Sequence, residues 1–121
     1  MKVEFDNNIP IYIQLVDYLK KCIISGKLKP GERLLSVRDL ATLMKVNPNT
    51  MQRALTDLEE LKLIYRERTS GKFVTKDQRL ISKYRDEYTD NLAKNFLKDM
   101  ENYGFSYREV MLYLNKIKGG E

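Results

Sequence analysis

Arg38, Lys45, Asn47, Asn49, Thr50, Gln52 and Arg53 crowd into one stretch, "RDLATLMKVNPNTMQR", of a 121-residue chain with no histidine and a single cysteine. Their chemistry is that of recognition. Asn and Gln can make paired hydrogen bonds to an adenine edge and Arg to a guanine edge, each good pair discriminating by about 1–3 kcal/mol. Lys and Arg also grip phosphate oxygens, which fixes a docking register without reading sequence. Catalysis finds little to work with. A Ser-His-Asp or Cys-His nucleophile needs an imidazole, and none is present. Glu59 and Glu60 are adjacent, so on a helix they point about 100° apart and read as a solvated face, not an acid/base pair. The Gly-Lys pair of "SGKF" (70–73) lacks the rest of a phosphate-binding loop: Arg66 stands where the earlier Gly belongs and Phe73 where a magnesium-binding Ser or Thr belongs. The expectation is a protein that binds, with no enzymatic activity and no cofactor.

Holding those residues requires two helices and a tight join. Val37, Leu40, Ala41 and Met44 form one apolar stripe behind Ser36, which stands three residues before Asp39 in the spacing of a capping box, so Arg38, Thr42 and Lys45 face outward. Lys45, Val46 and Asn47 make the join. Asn47 as cap and Pro48 as first helical residue then open the next helix. On it Met51, Ala54, Leu55, Leu58 and Leu61 share one arc, and Asn49, Arg53, Thr56, Asp57 and Glu60 the opposite one. The outer face is neutral or basic in its first two turns and acidic in its last, so only its N-terminal half suits a phosphate backbone. This pattern matches helix-turn-helix geometry, in which the second helix enters the major groove by its N-terminal end. Asn49, Gln52 and Arg53 are then the base readers, with Arg38 and Lys45 on phosphates. A plainer reading stays open, with Asn47 only a cap, Thr50 a first-turn residue and Arg53 a partner for Asp57 four residues on.

Upstream, Tyr12, Leu15, Val16, Leu19, Cys22 and Ile23 recur at steps of three and four between Pro10 and Gly26, an amphipathic helix with a packed cysteine. "KLKPGERL" (27–34) reads as a turn on Pro30 and Gly31. Downstream, "LIYRER" and "KFVT" read as the arms of a hairpin around "TSG", a wing carrying Arg66, Arg68 and Lys72 to the flanking backbone or minor groove. From Asp77 to about Tyr103 a long helix carries Leu80, Tyr84, Tyr88, Leu92, Phe96 and Met100. Gly104 breaks it, and a last helix, capped in box fashion by Ser106 and Glu109, carries Tyr107, Val110, Met111, Leu114 and Ile117. The expected fold is mainly α with a small β-hairpin: a winged helix-turn-helix DNA-binding domain over 1–75, then a two-helix dimerisation tail over 76–121.

Apolar residues spaced by four drift about 40° per step around a helix, so the two ends of the long stripe face different neighbours. The Leu80, Ile81 and Tyr84 end is expected on the winged helix. Tyr88, Leu92, Phe96, Leu97, Met100 and Tyr103, with Tyr107, Val110, Met111 and Leu114, are expected at a homodimer seam, where tyrosine is favoured. The alternative is a tail hairpin that buries its own apolar faces.

Lysine plus arginine outnumber aspartate plus glutamate by 22 to 17, a net charge of +5 that favours polyanionic partners. One cysteine excludes a disulfide framework within the chain, and the lack of histidine excludes a finger-type zinc site. The start "MKVEFDNNIPIY" has no signal-peptide core and no apolar run reaches bilayer length, so the expectation is a cytoplasmic protein without a membrane partner.

The run "PIYIQLVDYLKKCIISGKLKPGERLLSVRDLATLMKVNPNTMQRALTDLEELKLI", followed by "SGKFV", resembles the winged helix-turn-helix domain of the GntR family of bacterial transcription regulators. The resemblance covers about residues 10–74 and implies double-stranded DNA as partner. By position, Arg38 matches the family's DNA-contacting arginine before the turn. Asn47, Asn49, Thr50, Gln52 and Arg53 fall on its turn and recognition helix, and Gly71 with Lys72 on its wing tip. The chain departs from the family pattern at Leu35 for a usual Pro, at Lys62 for a common Gly, and at Thr69 and Ser70 for a Gly and a frequent basic residue. The short tail resembles the YtrA-like subfamily, which implies a homodimeric repressor, frequently of a neighbouring ABC-transporter operon. Together these lead to a repressor reading an inverted-repeat operator. The rival is a winged-helix protein-interaction module whose DNA affinity is sequence-blind and erased by moderate salt. No residue set for a small-molecule effector stands out.

Overall fold

The computed structural model describes residues 3–120. Pro10, with φ fixed at −52°, precedes α1 (Ile11–Ile24) and needs no donor of its own at a helix start. The three-and-four spacing then turns Leu15, Leu19, Cys22 and Ile23 to the interior. Ser36 caps α2 (Val37–Met44), its hydroxyl accepting from the Asp39 N–H at 3.1 Å. Asn47 caps α3 (Pro48–Glu60), its Oδ1 accepting from the Asn49 N–H at 2.8 Å. Each cap satisfies a backbone donor that the helix itself leaves unpaired. Met51, Ala54, Leu55 and Leu58 of α3 meet the apolar faces of α1 and α2 in one core.

The two helices of the pair end alike. After α2 the Val46 N–H donates to the Ala41 carbonyl at 2.9 Å, and after α3 the Leu63 N–H donates to the Leu58 carbonyl at 3.0 Å. Both are Schellman turns, and each needs a residue in the left-handed region. That residue is Lys45 (φ 56°) in the first and Lys62 (φ 65°) in the second. The end of α3 therefore keeps the turn that a glycine would supply, at a cost of about 1–2 kcal/mol for a residue bearing a Cβ.

β1 (Ile64–Glu67) and β2 (Gly71–Val74) pair antiparallel with Ile64 opposite Val74, Tyr65 opposite Phe73 and Glu67 opposite Gly71. Ile64 and Val74 enter the core, while the Tyr65 and Phe73 rings stack on the other face, 5.6 Å apart. Gly71 sits at φ 98°, which lets β2 leave the turn where a side chain would be strained. The segment read as a turn on Pro30 and Gly31 does more than turn. It runs along the free edge of β2, with the Leu34 N–H donating to the Lys72 carbonyl at 2.8 Å and the Val74 N–H to the Glu32 carbonyl at 2.9 Å. Burial of Leu34 draws the segment there, and the edge of the wing is covered.

α4 (Gln78–Asn102) starts on Asp77, whose Oδ1 accepts from the Arg79 and Leu80 N–H groups at 3.1 Å. The chain packs as two units that divide between Tyr84 and Arg85, inside α4, where the sequence placed a boundary at 75/76. Ile81 is buried in the winged-helix core, and Tyr84 donates its hydroxyl to the Leu61 carbonyl at 3.4 Å with Lys20 Nζ over its ring. The opening turns of α4 therefore belong to the first unit. In the second unit α4 ends at a turn through Gly104 (φ 89°), and α5 (Tyr107–Gly119) opens on a reciprocal capping box between Ser106 and Glu109. Phe105 meets Tyr113 edge-on at 5.8 Å. Among the described residues no helix is long and apolar enough to cross a membrane.

Candidate nucleic-acid interface

The first turns of α3 present the polar side chains that the sequence singles out. Asn49 and Arg53 are exposed, and Thr50 and Gln52 half-buried. Asn47 spends its Oδ1 on the cap, which leaves its amide N–H groups as donors. Gln52 lies along the helix, its Nε2 donating to Thr56 Oγ1 at 3.3 Å while the Thr56 hydroxyl donates back to the Gln52 carbonyl at 3.0 Å. Arg53 does not reach down its own helix. Among the described residues no ion pair joins it to Asp57; its guanidinium lies over the ring of Tyr12, Cζ 3.6 Å from the centroid. Arg38, on the first turn of α2, and Lys45, at the left-handed turn between the helices, are both exposed. The join thus brings Arg38, Lys45, Asn47 and the start of α3 into one polar region.

The wing contributes less than its basic residues suggest. Arg68 is exposed at the hairpin turn, and Arg66 is exposed with its guanidinium 3.8 Å from Glu59 Oε1. Lys72 is turned inward. Its side chain is 12% exposed, and its Nζ sits 3.1 Å from the same Glu59 oxygen, held by charge with angles that fall short of an aligned hydrogen bond. Glu59, read as part of a solvated face, is instead a half-buried clasp between α3 and both strands of the wing. The cause lies in the antiparallel register, which sets Arg66 opposite Lys72 beside the last turns of α3.

Two residues of this surface were not singled out. Arg33 lies beside β2 with its guanidinium near Gly71, its Nε 3.6 Å from where a Cβ on that glycine would stand, which is ordinary van der Waals contact. Spacing alone places Tyr12 on the apolar face of α1. An aromatic in the exposed first turn of α1 was the available hint for Tyr12; for Arg33 the sequence offered only a turn. A mainly apolar cleft of about 270 Å³ is walled by core leucines such as Leu19, Leu55 and Leu58, with the exposed Leu35 and Leu43 and the charged Glu32 and Arg33 also in its lining.

In the second unit Leu92, Phe96, Tyr103, Tyr107, Met111 and Leu114 are exposed, as are Tyr113 and Ile117, and Leu97 and Met100 are half-buried. Tyr88 is half-buried too. Val110 departs from the expectation. At 1% exposure it is already inside the tail and offers a partner nothing to touch.

A profile of the bacterial regulatory proteins of the gntR family matches residues 11–74. The HTH-type transcriptional repressor YtrA of Bacillus subtilis (strain 168) is 34% identical over 77 residues, which span 64% of this chain and 59% of that protein. A solved GntR family transcriptional regulator from Listeria monocytogenes is similar at 39% identity and TM-score 0.83, over 93% of this chain and 98% of that one. The DNA-binding domain of AraR, solved in complex with operator ORR3, aligns at 27% identity and TM-score 0.52 over 62% of this chain and 88% of that one.

Proposed function

The chain belongs to the gntR family of bacterial regulatory proteins, and from that premise we propose that it is a homodimeric, cytoplasmic repressor reading an inverted-repeat operator. Members of this family are DNA-binding transcription regulators and not enzymes. The observation that carries the finer reading is the polar start of α3, which bears Asn49, Gln52 and Arg53 on a helix fixed at both ends by a cap and a Schellman turn. Asn49, Gln52 and Arg53 read base edges in the major groove. Arg38, Lys45, Asn47 and Thr50 hold phosphates. Arg66, Arg68 and the backbone at Gly71 follow the flanking DNA, while Lys72 braces the wing from inside.

Dimerisation rests on the tail. Tyr107, Met111, Leu114 and Ile117 of α5 lie along one apolar arc and are exposed in the single chain, and a second copy is the self-complementary cover that two-fold symmetry provides. Leu92, Phe96, Leu97, Met100 and Tyr103 extend that seam along α4. Two copies would then present their α3 helices to half-sites about one helical turn apart, or a multiple of it. The similarity to the repressor YtrA supports repression; the association with a transporter operon follows from resemblance to the short subfamily alone.

Selection of bound duplexes from random DNA at about 150 mM salt tests the proposal, because purely electrostatic binding is weak there. Recovery of an inverted repeat is the expected outcome. Retention without any motif, by protein verified as folded, would favour a protein-interaction module instead.

A further inference from the structure

Tyr12 lies in the first turn of α1, half-buried rather than in the core, and its ring carries the Arg53 guanidinium at 3.6 Å. Ile11, Tyr12, Asn49, Thr50 and Arg53 border one shallow recess where the N-terminal ends of α1 and α3 meet. Stacking uses the face of a guanidinium and hydrogen bonding uses its edge, so Arg53 keeps its five N–H donors while its rotamers are narrowed. An arginine ordered before DNA arrives loses less freedom on binding than one ordered by DNA. Resting on the reading of Arg53 as a base reader, we propose that Tyr12 is the positioning residue that presents the Arg53 edge to the major groove. Preference at one base pair of each half-site then depends on an aromatic ring contributed by α1.

The test uses the full chain and an inverted-repeat duplex recovered by random-DNA selection, with affinities from fluorescence anisotropy for Tyr12→Leu, Tyr12→Phe, Arg53→Ala and the Tyr12→Leu/Arg53→Ala double variant. Tyr12→Leu is expected to weaken binding about two- to five-fold per half-site, the size of an exposed cation–π contact. The loss should appear as flattened preference at one base pair, should be absent in Tyr12→Phe, and should vanish when Arg53 is already Ala. Equal loss in the Arg53→Ala background, or no loss at all, overturns the positioning role. Arg53→Ala without effect, or selection that yields no motif, refutes the base-reader reading itself and removes the inference with it. Tyr12→Gln serves as a second variant should Leu perturb folding. The stack is also read directly in the free wild-type protein, where the Arg53 δ-protons should be ring-current shifted; random-coil shifts there overturn it without any mutant.

Discussion

Glu59→Ala should cost more stability than Lys72→Ala, although both break the same ion pair. Removing Glu59 strands an ammonium group whose side chain is only 12% exposed. Removing Lys72 leaves a carboxylate that is 28% exposed and still has Arg66 at 3.8 Å. Exposed pairs contribute about 0–1 kcal/mol, while stranding one charge of a buried pair costs about 3–5 kcal/mol. This pair lies between those limits, so about 2–3 kcal/mol is expected for Glu59→Ala and about 1 kcal/mol for Lys72→Ala. For a domain of this size each kcal/mol moves Tm by about 4–8 °C, which gives drops of about 8–24 °C and about 4–8 °C. Thermal and urea melts followed by circular dichroism at 222 nm measure both. The same proteins separate bracing from DNA contact. If Lys72 touched a phosphate, Lys72→Ala would lower the slope of log K against log salt by about 0.9 per contact; as an internal brace it should leave that slope unchanged. Equal destabilisation by the two variants, or a reduced slope with no change in Tm, would refute the inward placement of Lys72.

Lys45→Gly and Lys62→Gly should each raise stability by about 0.5–1 kcal/mol, since relief of left-handed strain is partly offset by a more flexible unfolded chain; only Lys45→Gly should also weaken DNA binding and reduce its salt slope. Met111→Glu should yield monomers in sedimentation equilibrium with helicity retained, because Met111 is 42% exposed in one chain, whereas Val110→Glu should lose tail helicity outright. A Met111→Glu protein that stays dimeric would move the seam elsewhere. The Glu109 carboxylate is held below its ordinary value by the Ser106 backbone N–H and then by the Ser106 hydroxyl. Its contribution to α5 is thus present above the ordinary glutamate value and lost as pH falls through the lower folded one. Helicity should therefore decline as pH falls below the ordinary glutamate range, by a component that Glu109→Gln removes.

What the sequence determined by itself was local. Pro10, Ser36, Asn47, Pro48 and Ser106 mark helix starts because a cap or a fixed φ acts within three residues, and the apolar periods name the buried faces of α1, α2 and α3 for the same short-range reason. The hairpin was legible from its turn residues, and the family resemblance rests on those same local signals. Tertiary structure decided the partners. Arg53 had Asp57 within reach on its own helix and lies instead on Tyr12 of another. Lys72 looked like a wing cation and turned inward to Glu59, while residues 31–34 became an edge of the wing. Ile81 and Tyr84 drew the start of α4 into the first unit, past the expected boundary at 75/76. Charges and rings choose among neighbours that only the assembled core brings together, and periodicity along one element carries no record of what lies across from it.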